Sequence, residues 1–507
     1  MSRVAHPAGP RHADVLPAGY PPPRPADLNA LDPALWPRTA RRSGGALVLG
    51  GIDVRELARQ FGTPLFACDE ADFRGRCREF HEAFGADAGV SYAAKAFCCR
   101  AVLRWVSEEG LGVDICSGGE LEVALRAGVA PELITLHGSN KLPAELERAL
   151  AAGVGHVVVD SFEEIGRLDR LTAGPGPAGP GPAGTGPAGT GPAGTGPAGT
   201  GPAGTGPAGT GPAGAGPGRN ARQPRILVRV TTGVEAAAHE FVATAHDDQK
   251  FGFSLASGAA DKAVRRVLAS PGLDFAGLHS HIGSQIYDTA GFEVAAHRVI
   301  ELAVRIRDEH GIGIEELNLG GGFGIAYTAA DDPADIRLIA SGLRDILDAE
   351  CRAAGLARPR LSVEPGRAIA GPGTVTLYQV GTVKDVDGLR TYVSVDGGMS
   401  DNIRTALYDA DYTCVLASRE SAAPPMLSRI VGRHCESGDI VVRDAYLPAD
   451  TAAGDLIAVA ATGAYCRSMA SNYNHVPRPP VVAVRDGAAR LILRRETIDD
   501  LLGLDPG

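Results

Sequence analysis

The residues best placed to do chemistry stand at the ends of apolar runs. Lys95 closes the run Val90–Ala94 within Ser-Tyr-Ala-Ala-Lys-Ala-Phe, between Tyr92 and Phe97. An amine in apolar surroundings has a depressed pKa and attacks aldehydes, although a strand-end lysine also commonly just reaches for solvent. His281 lies in Leu-His-Ser-His-Ile-Gly-Ser-Gln, where a structural role is equally open. Gly320-Gly321-Gly322-Phe323-Gly324 is either a tight turn or a place where backbone N–H groups close on a phosphate. It matches neither a Walker A sequence nor the context of a dinucleotide fingerprint. Glu364 in Val-Glu-Pro-Gly-Arg could pair with Arg367 or hold a protonated pyridine nitrogen. Cys435 and Glu436 follow a histidine in Arg-His-Cys-Glu-Ser-Gly-Asp, where the thiol is either functional or inert.

These residues need elements to position them. Eight short apolar runs read as strands: Val90–Ala94, Gly112–Cys116, Leu133–His137, His156–Val159, Ile226–Val230, Phe275–His279, Ile314–Leu319 and Leu361–Val363. Helical patterns separate them, among them Gly119–Ala127, Pro143–Ala152, Phe162–Leu171 and Gly291–Glu309. Eight strands alternating with helices predict a (β/α)8 barrel over residues 71–372. Such barrels carry chemistry at the C-terminal ends of their strands. Lys95, Asp114, His281–Gln285, Gly320–Gly324 and Glu364–Arg367 all fall there. After Gly373 short strands and turns dominate, which predicts a mostly β domain over 373–507, with residues 46–70 contributing to it. Residues 1–45, rich in Pro, Ala and Arg, read as a disordered tail. The Thr-Gly-Pro-Ala-Gly tract at 174–218 lacks large apolar residues and strict Gly periodicity. It reads as a passive loop on the barrel face opposite the chemistry.

The 507 residues carry a formal charge of −11. That argues against nucleic acid and anionic membrane surfaces as partners and leaves small-molecule chemistry open. The nine cysteines form no Cys-x-x-Cys pair or zinc-ligand array, so neither a disulfide framework nor a metal site is expected. With no signal-like or eighteen-residue apolar stretch, the expectation is a soluble cytoplasmic protein.

Taken in order, the segments resemble the diaminopimelate decarboxylase family, fold type III (alanine-racemase-like) pyridoxal-phosphate enzymes. The resemblance runs from about Ala46 to the C-terminus apart from the Gly/Pro tract. It includes Tyr-Ala-Ala-Lys-Ala-Phe, Asp-Ile-Cys-Ser-Gly-Gly-Glu-Leu, His-Ser-His-Ile-Gly-Ser-Gln, Asn-Leu-Gly-Gly-Gly-Phe-Gly and Val-Glu-Pro-Gly-Arg. It continues through Asp-Gly-Gly-Met-Ser-Asp-Asn-Ile-Arg-Thr-Ala-Leu-Tyr, His-Cys-Glu-Ser-Gly-Asp and Gly-Ala-Tyr-Cys-Arg-Ser-Met. The resemblance implies decarboxylation of meso-2,6-diaminopimelate to L-lysine with pyridoxal 5'-phosphate, held by Lys95 as a Schiff base. It implies that His281 stacks on the ring and that Glu364 pairs with the ring nitrogen. It places Asp114, Ser284, Gly321, Gly322, Pro365, Gly366, Arg367 and Tyr465 around the cofactor. It assigns Arg367, Arg404, Tyr408, Glu436 and Tyr465 to the substrate and proton donation to Cys435. Cys435 and Glu436 would come from the other subunit of a homodimer. Ile403 and Thr405 depart from the proline common in relatives. Related decarboxylases of ornithine, arginine or carboxynorspermidine, a racemase of the same barrel class and an inactive binding relative are the rivals. Arg404 and Tyr408 with the Cys-Glu pair favour the doubly carboxylated substrate.

Overall fold

The apolar runs become the parallel strands β1 (Gly89–Ala93), β2 (Gly112–Ile115), β3 (Ile134–Leu136), β4 (His156–Val159), β5 (Arg225–Thr231), β6 (Asp274–Ser280), β7 (Glu316–Asn318) and β8 (Arg360–Val363). The computed structural model describes residues 22–173, 223–234, 250–386 and 390–507. Each strand pairs in parallel with the next. β8 returns to β1, where Val363 lies opposite Val90, and the barrel closes. Strands covered on both faces need continuous rather than alternating apolar residues, which is why the runs were legible. The helices between them start and stop on local signals. Ser117 and Ser161 accept the N–H of Glu120 and Glu164 at 3.2 Å, and Gly128 and Gly153 end their helices at positive φ.

The Gly/Pro tract lies outside the described residues. Its flanks are the helix Phe162–Thr172 and the start of β5, so the connection departs from the N-terminal end of the barrel.

The second sheet is built on the 13-residue strand Thr374–Val386, which pairs with Arg390–Val395, Leu456–Val459 and Leu65–Asp69. Leu65–Asp69 also pairs in parallel with Val481–Arg485, so the N-terminal segment is part of this sheet. Ala46–Leu49 instead joins Arg41–Ser43 and Ile52–Asp53 in a three-stranded sheet of its own, tied to the β domain by Leu47 N–H donating to the Ala417 carbonyl at 2.9 Å.

The expected disordered tail of residues 1–45 is corrected in its described part. Residues 22–45 pack on the protein: Leu35 and Trp36 are buried with Leu47, Leu49, Val375 and Val482. Asn29 exchanges bonds of 2.8 and 3.1 Å with the Ser421 backbone, and Arg38 binds Glu79 through two contacts of 2.6 and 2.7 Å. The Pro- and Ala-rich composition hid one Leu-Trp pair, whose burial contributes several kcal/mol. Among the described residues no helix is long and apolar enough to cross a membrane.

Candidate active site

At the C-terminal end of the barrel a cavity of about 570 Å³ opens. Its wall brings together Lys95, Asp114, His281, Ser284, Gly321, Gly322, Glu364, Gly366, Arg367, Arg404, Tyr408 and Tyr465. Pro365 does not line it; its carbonyl accepts the Ala93 N–H at 3.0 Å and so fixes the end of β1. Cys435 and Glu436 are not in the wall but on an exposed turn.

The floor is a cluster of four buried ionisable groups. Glu364, just after β8, meets His137 Nε2 at 2.8 Å, Asn318 Nδ2 at 2.8 Å and His279 Nε2 at 3.3 Å. His137 Nε2 also lies 3.5 Å from Asp114. Burial alone would raise the Glu364 carboxyl, but the two imidazoles outweigh it and hold it well below the usual range. Burial pushes Asp114 up to about 7 and His279 down to about 4. His137 resists burial because Asp114 and Glu364 raise it. His137, His279 and Glu364 also form a group whose ligand atoms lie within 4.8 Å of one another.

Lys95 opens into the cavity from the turn after β1. Its pKa is not depressed, contrary to the expectation from its apolar neighbours in sequence. Burial lowers it, but Tyr465, Asp114 and Glu364 together raise it above the ordinary lysine value. The sequence shows the residues beside Lys95, not the carboxylates that β2 and β8 bring to it. His281 is held well below the ordinary imidazole value by burial and by Lys95, so its ring is neutral. Its Nδ1 accepts the Gly321 N–H at 3.2 Å, which leaves the proton on Nε2.

The glycine run closes tightly. A Cβ on Gly321 would run into the Glu364 carbonyl oxygen, and one on Gly322 into the Gly283 carbonyl oxygen. Tyr465 sits at φ +62, a conformation costly for a side-chain-bearing residue and often found at functional sites. Its N–H donates to the Ala96 carbonyl at 2.9 Å, beside Lys95.

On the opposite wall Arg367 donates to Tyr327 Oη at 2.6 Å and Ser284 Oγ at 2.8 Å. Arg404 donates to Tyr412 Oη. The short helix Arg404–Tyr408 sets Arg404 and Tyr408 on one side of a turn facing the cavity. Thr405 anchors that turn by donating to the Val441 carbonyl at 3.1 Å. Arg367 and Arg404 are 7% and 5% exposed, yet among the described residues neither forms an ion pair with a carboxylate. Buried cations without counter-ions call for an anionic ligand.

Sequence reasoning did not single out His137, His279, Asn318, Tyr327 or Tyr412. A signal existed for the first two, since each ends an apolar run with a polar group.

A barrel with a strand-end lysine, a carboxylate beneath it and a glycine cradle defines a pyridoxal-phosphate enzyme. The family model "Pyridoxal-dependent decarboxylase, pyridoxal binding domain" matches residues 70–177 and 218–371. Diaminopimelate decarboxylase of Mycobacterium tuberculosis is 54% identical over 488 residues, covering 94% of this chain and 99% of its own. The Bacillus subtilis relative of the same name is 40% identical over 91% of this chain and 95% of its own. The crystal structure of the diaminopimelate decarboxylase of M. jannaschii in complex with L-lysine superposes with a TM-score of 0.78 at 28% identity, covering 92% of this chain and 98% of that one. The chain belongs to the diaminopimelate decarboxylase family.

The residues present fit the cofactor of that family. Ionised Glu364 has about four acceptor positions. Asn318 and His279 hydrogen-bond to it and His137 Nε2 lies 2.8 Å away, so acceptor capacity remains for a protonated ring nitrogen in the cavity. The glycine run brings the bare backbone of Gly321 and Gly322 to the cavity wall, at a place where no side chain fits.

Proposed function

We infer that this chain decarboxylates meso-2,6-diaminopimelate to L-lysine and carbon dioxide, the last step of lysine biosynthesis, with pyridoxal phosphate as cofactor. The observation that carries this reading is the pair of buried guanidiniums, Arg367 and Arg404, facing the cavity without carboxylate partners. A substrate with a second carboxylate supplies what they lack, whereas ornithine or arginine does not. When bound, the cofactor supplies an electron sink for the pair left behind as carbon dioxide departs.

The chain's own groups then have distinct tasks. Lys95 would hold the cofactor through its Nζ. Glu364, kept ionised by His137 and His279, keeps the ring nitrogen protonated. Neutral His281, in the cavity wall, would hold the ring by its face. Ser284, Gly321, Gly322, Gly366 and Arg367 would hold the phosphate side, Asp114 lines the same cavity and raises the Lys95 pKa, and Tyr465 would serve both cofactor and substrate. Arg367, Arg404 and Tyr408 hold the distal carboxylate. Cys435 donates a proton to the carbon that lost its carboxylate, and Glu436 faces the distal amine. Both enter from the second subunit of a homodimer; the absence of a thiol from the described cavity wall supports this reading. Nine unpaired cysteines support a reducing cytoplasm as its compartment.

Carbon-dioxide release from meso-diaminopimelate, ornithine and arginine tests the substrate. A preference of about hundredfold or more in kcat/KM for the first is expected, and equal turnover of ornithine overturns the reading. Mixing the inactive variants Lys95→Ala and Cys435→Ala tests the shared site. Recovered activity is expected, and none would place both residues in one subunit's site.

A further inference from the structure

Two like charges held close together repel unless something fixes them, and in this cavity that something is Tyr327. Its side chain is 6% exposed. Its backbone is clamped from both domains: the N–H donates to Asp331 Oδ2 at 3.0 Å and the carbonyl accepts from Thr413 Oγ1 at 2.9 Å. The hydroxyl accepts from Arg367 Nη1 at 2.6 Å. The ring lies under Arg404, whose guanidinium carbon is 4.7 Å from the centroid. Its edge packs at 5.2 Å and 79° on Tyr412, which accepts from Arg404 in turn. One phenol therefore ties one guanidinium by its oxygen and the other by its face. Asp331, the nearby acid, is taken up by Tyr327 N–H, Thr328 N–H, Thr328 Oγ1 and Tyr287 Oη.

We propose that Tyr327 is a positioning residue that aims Arg367 and Arg404 at a single carboxylate and thereby sets the preference for substrates with a second carboxylate. This rests on the reading of the arginine pair as the distal carboxylate site.

The test uses the holoenzyme with Tyr327→Phe, Tyr327→Leu and, as reference, Arg404→Met. The readouts are kcat and KM for meso-diaminopimelate, the inhibition constant of pimelate (a seven-carbon dicarboxylate without amines) and the cofactor dissociation constant. Tyr327→Phe keeps the ring and loses one hydrogen bond to a charged group, so KM and the pimelate constant rise about tenfold. Tyr327→Leu also loses the ring under Arg404, and both rise about a hundredfold. In the Phe variant kcat stays within about threefold and cofactor affinity, which Arg367 also serves, shifts less than the pimelate constant, whereas a merely structural role moves kcat and cofactor affinity together. A shifted pimelate constant in Arg404→Met with none in Tyr327→Phe overturns the proposal and leaves the carboxylate site standing. An unshifted constant in Arg404→Met overturns the carboxylate site, and the proposal with it. The Phe variant decides if the Leu variant does not fold.

Discussion

Replacing Gly320 by alanine should damage catalysis through geometry alone, because Gly320 touches no ligand-facing surface of its own. Its φ is +71, and a Cβ there would lie 2.7 Å from the Ser280 carbonyl oxygen and 2.8 Å from His281 Nδ1. Ordinary contact begins at 3.4 Å. The shortfall is 3.4 − 2.7 = 0.7 Å against a backbone that cannot turn away and 3.4 − 2.8 = 0.6 Å against the His281 ring. The conformation costs about 1–2 kcal/mol and the overpacking about 1–3 kcal/mol, so unfolding in urea should show a loss of about 2–5 kcal/mol. The Gly320 carbonyl also accepts the Glu364 N–H at 2.9 Å, so relief of the clash moves both His281 and Glu364. A 1 Å misplacement costs about a hundredfold; a displacement of about 0.6 Å scales to roughly tenfold in kcat/KM. Circular dichroism establishes that the variant is folded, and carbon-dioxide release gives the rate. A folded variant with kcat/KM within about twofold of the parent refutes the idea that the glycine run sets the distance between His281 and Glu364.

Other perturbations separate the remaining parts. Glu364→Gln should keep cofactor binding within about tenfold but lower kcat by about 10²-fold or more, since a neutral partner no longer keeps the ring nitrogen charged; a rate loss under threefold contradicts this. His279→Gln should flatten acid sensitivity. The native His279 pKa is about 4 against 6.5 in the unfolded chain, so the unfolded state takes up the proton first, and stability present above pH 6.5 is lost as pH falls toward 4. Parallel stability curves for parent and variant over that window contradict it. Deleting residues 174–218 should leave turnover within about twofold, because their flanks lie on the barrel face opposite the cavity; a tenfold loss in a folded protein would show the tract reaches the site.

The barrel strands were legible because burial on both faces demands unbroken apolar runs, and the glycine run because its backbone approach excludes side chains. What stayed hidden depends on separation in sequence. His137 and His279 acquire meaning only when β3 and β6 bring them to Glu364, which lies 227 and 85 positions further along the chain.

 No local pattern spans either gap. The raised Lys95 pKa has the same origin, since Asp114 and Glu364 arrive from other strands. Tyr327 and Tyr412 were invisible because nothing in their neighbourhoods marks them as partners of Arg367 and Arg404. Residues 22–45 were misread because composition averages over the one Leu-Trp pair that anchors them.

Lys95 is the residue proposed to carry the cofactor. Reducing the holoenzyme with borohydride fixes the cofactor on whichever amine holds it, and peptide mass mapping then reads the position. The label is predicted on the peptide containing Lys95, whose side chain opens into the cavity. It should be absent from Lys141, a buried lysine whose Nζ already donates to Gly138 O, Val158 O and Glu164 Oε1. A label on Lys141, or a holoenzyme that loses its cofactor unlabelled, would contradict the assignment of the site.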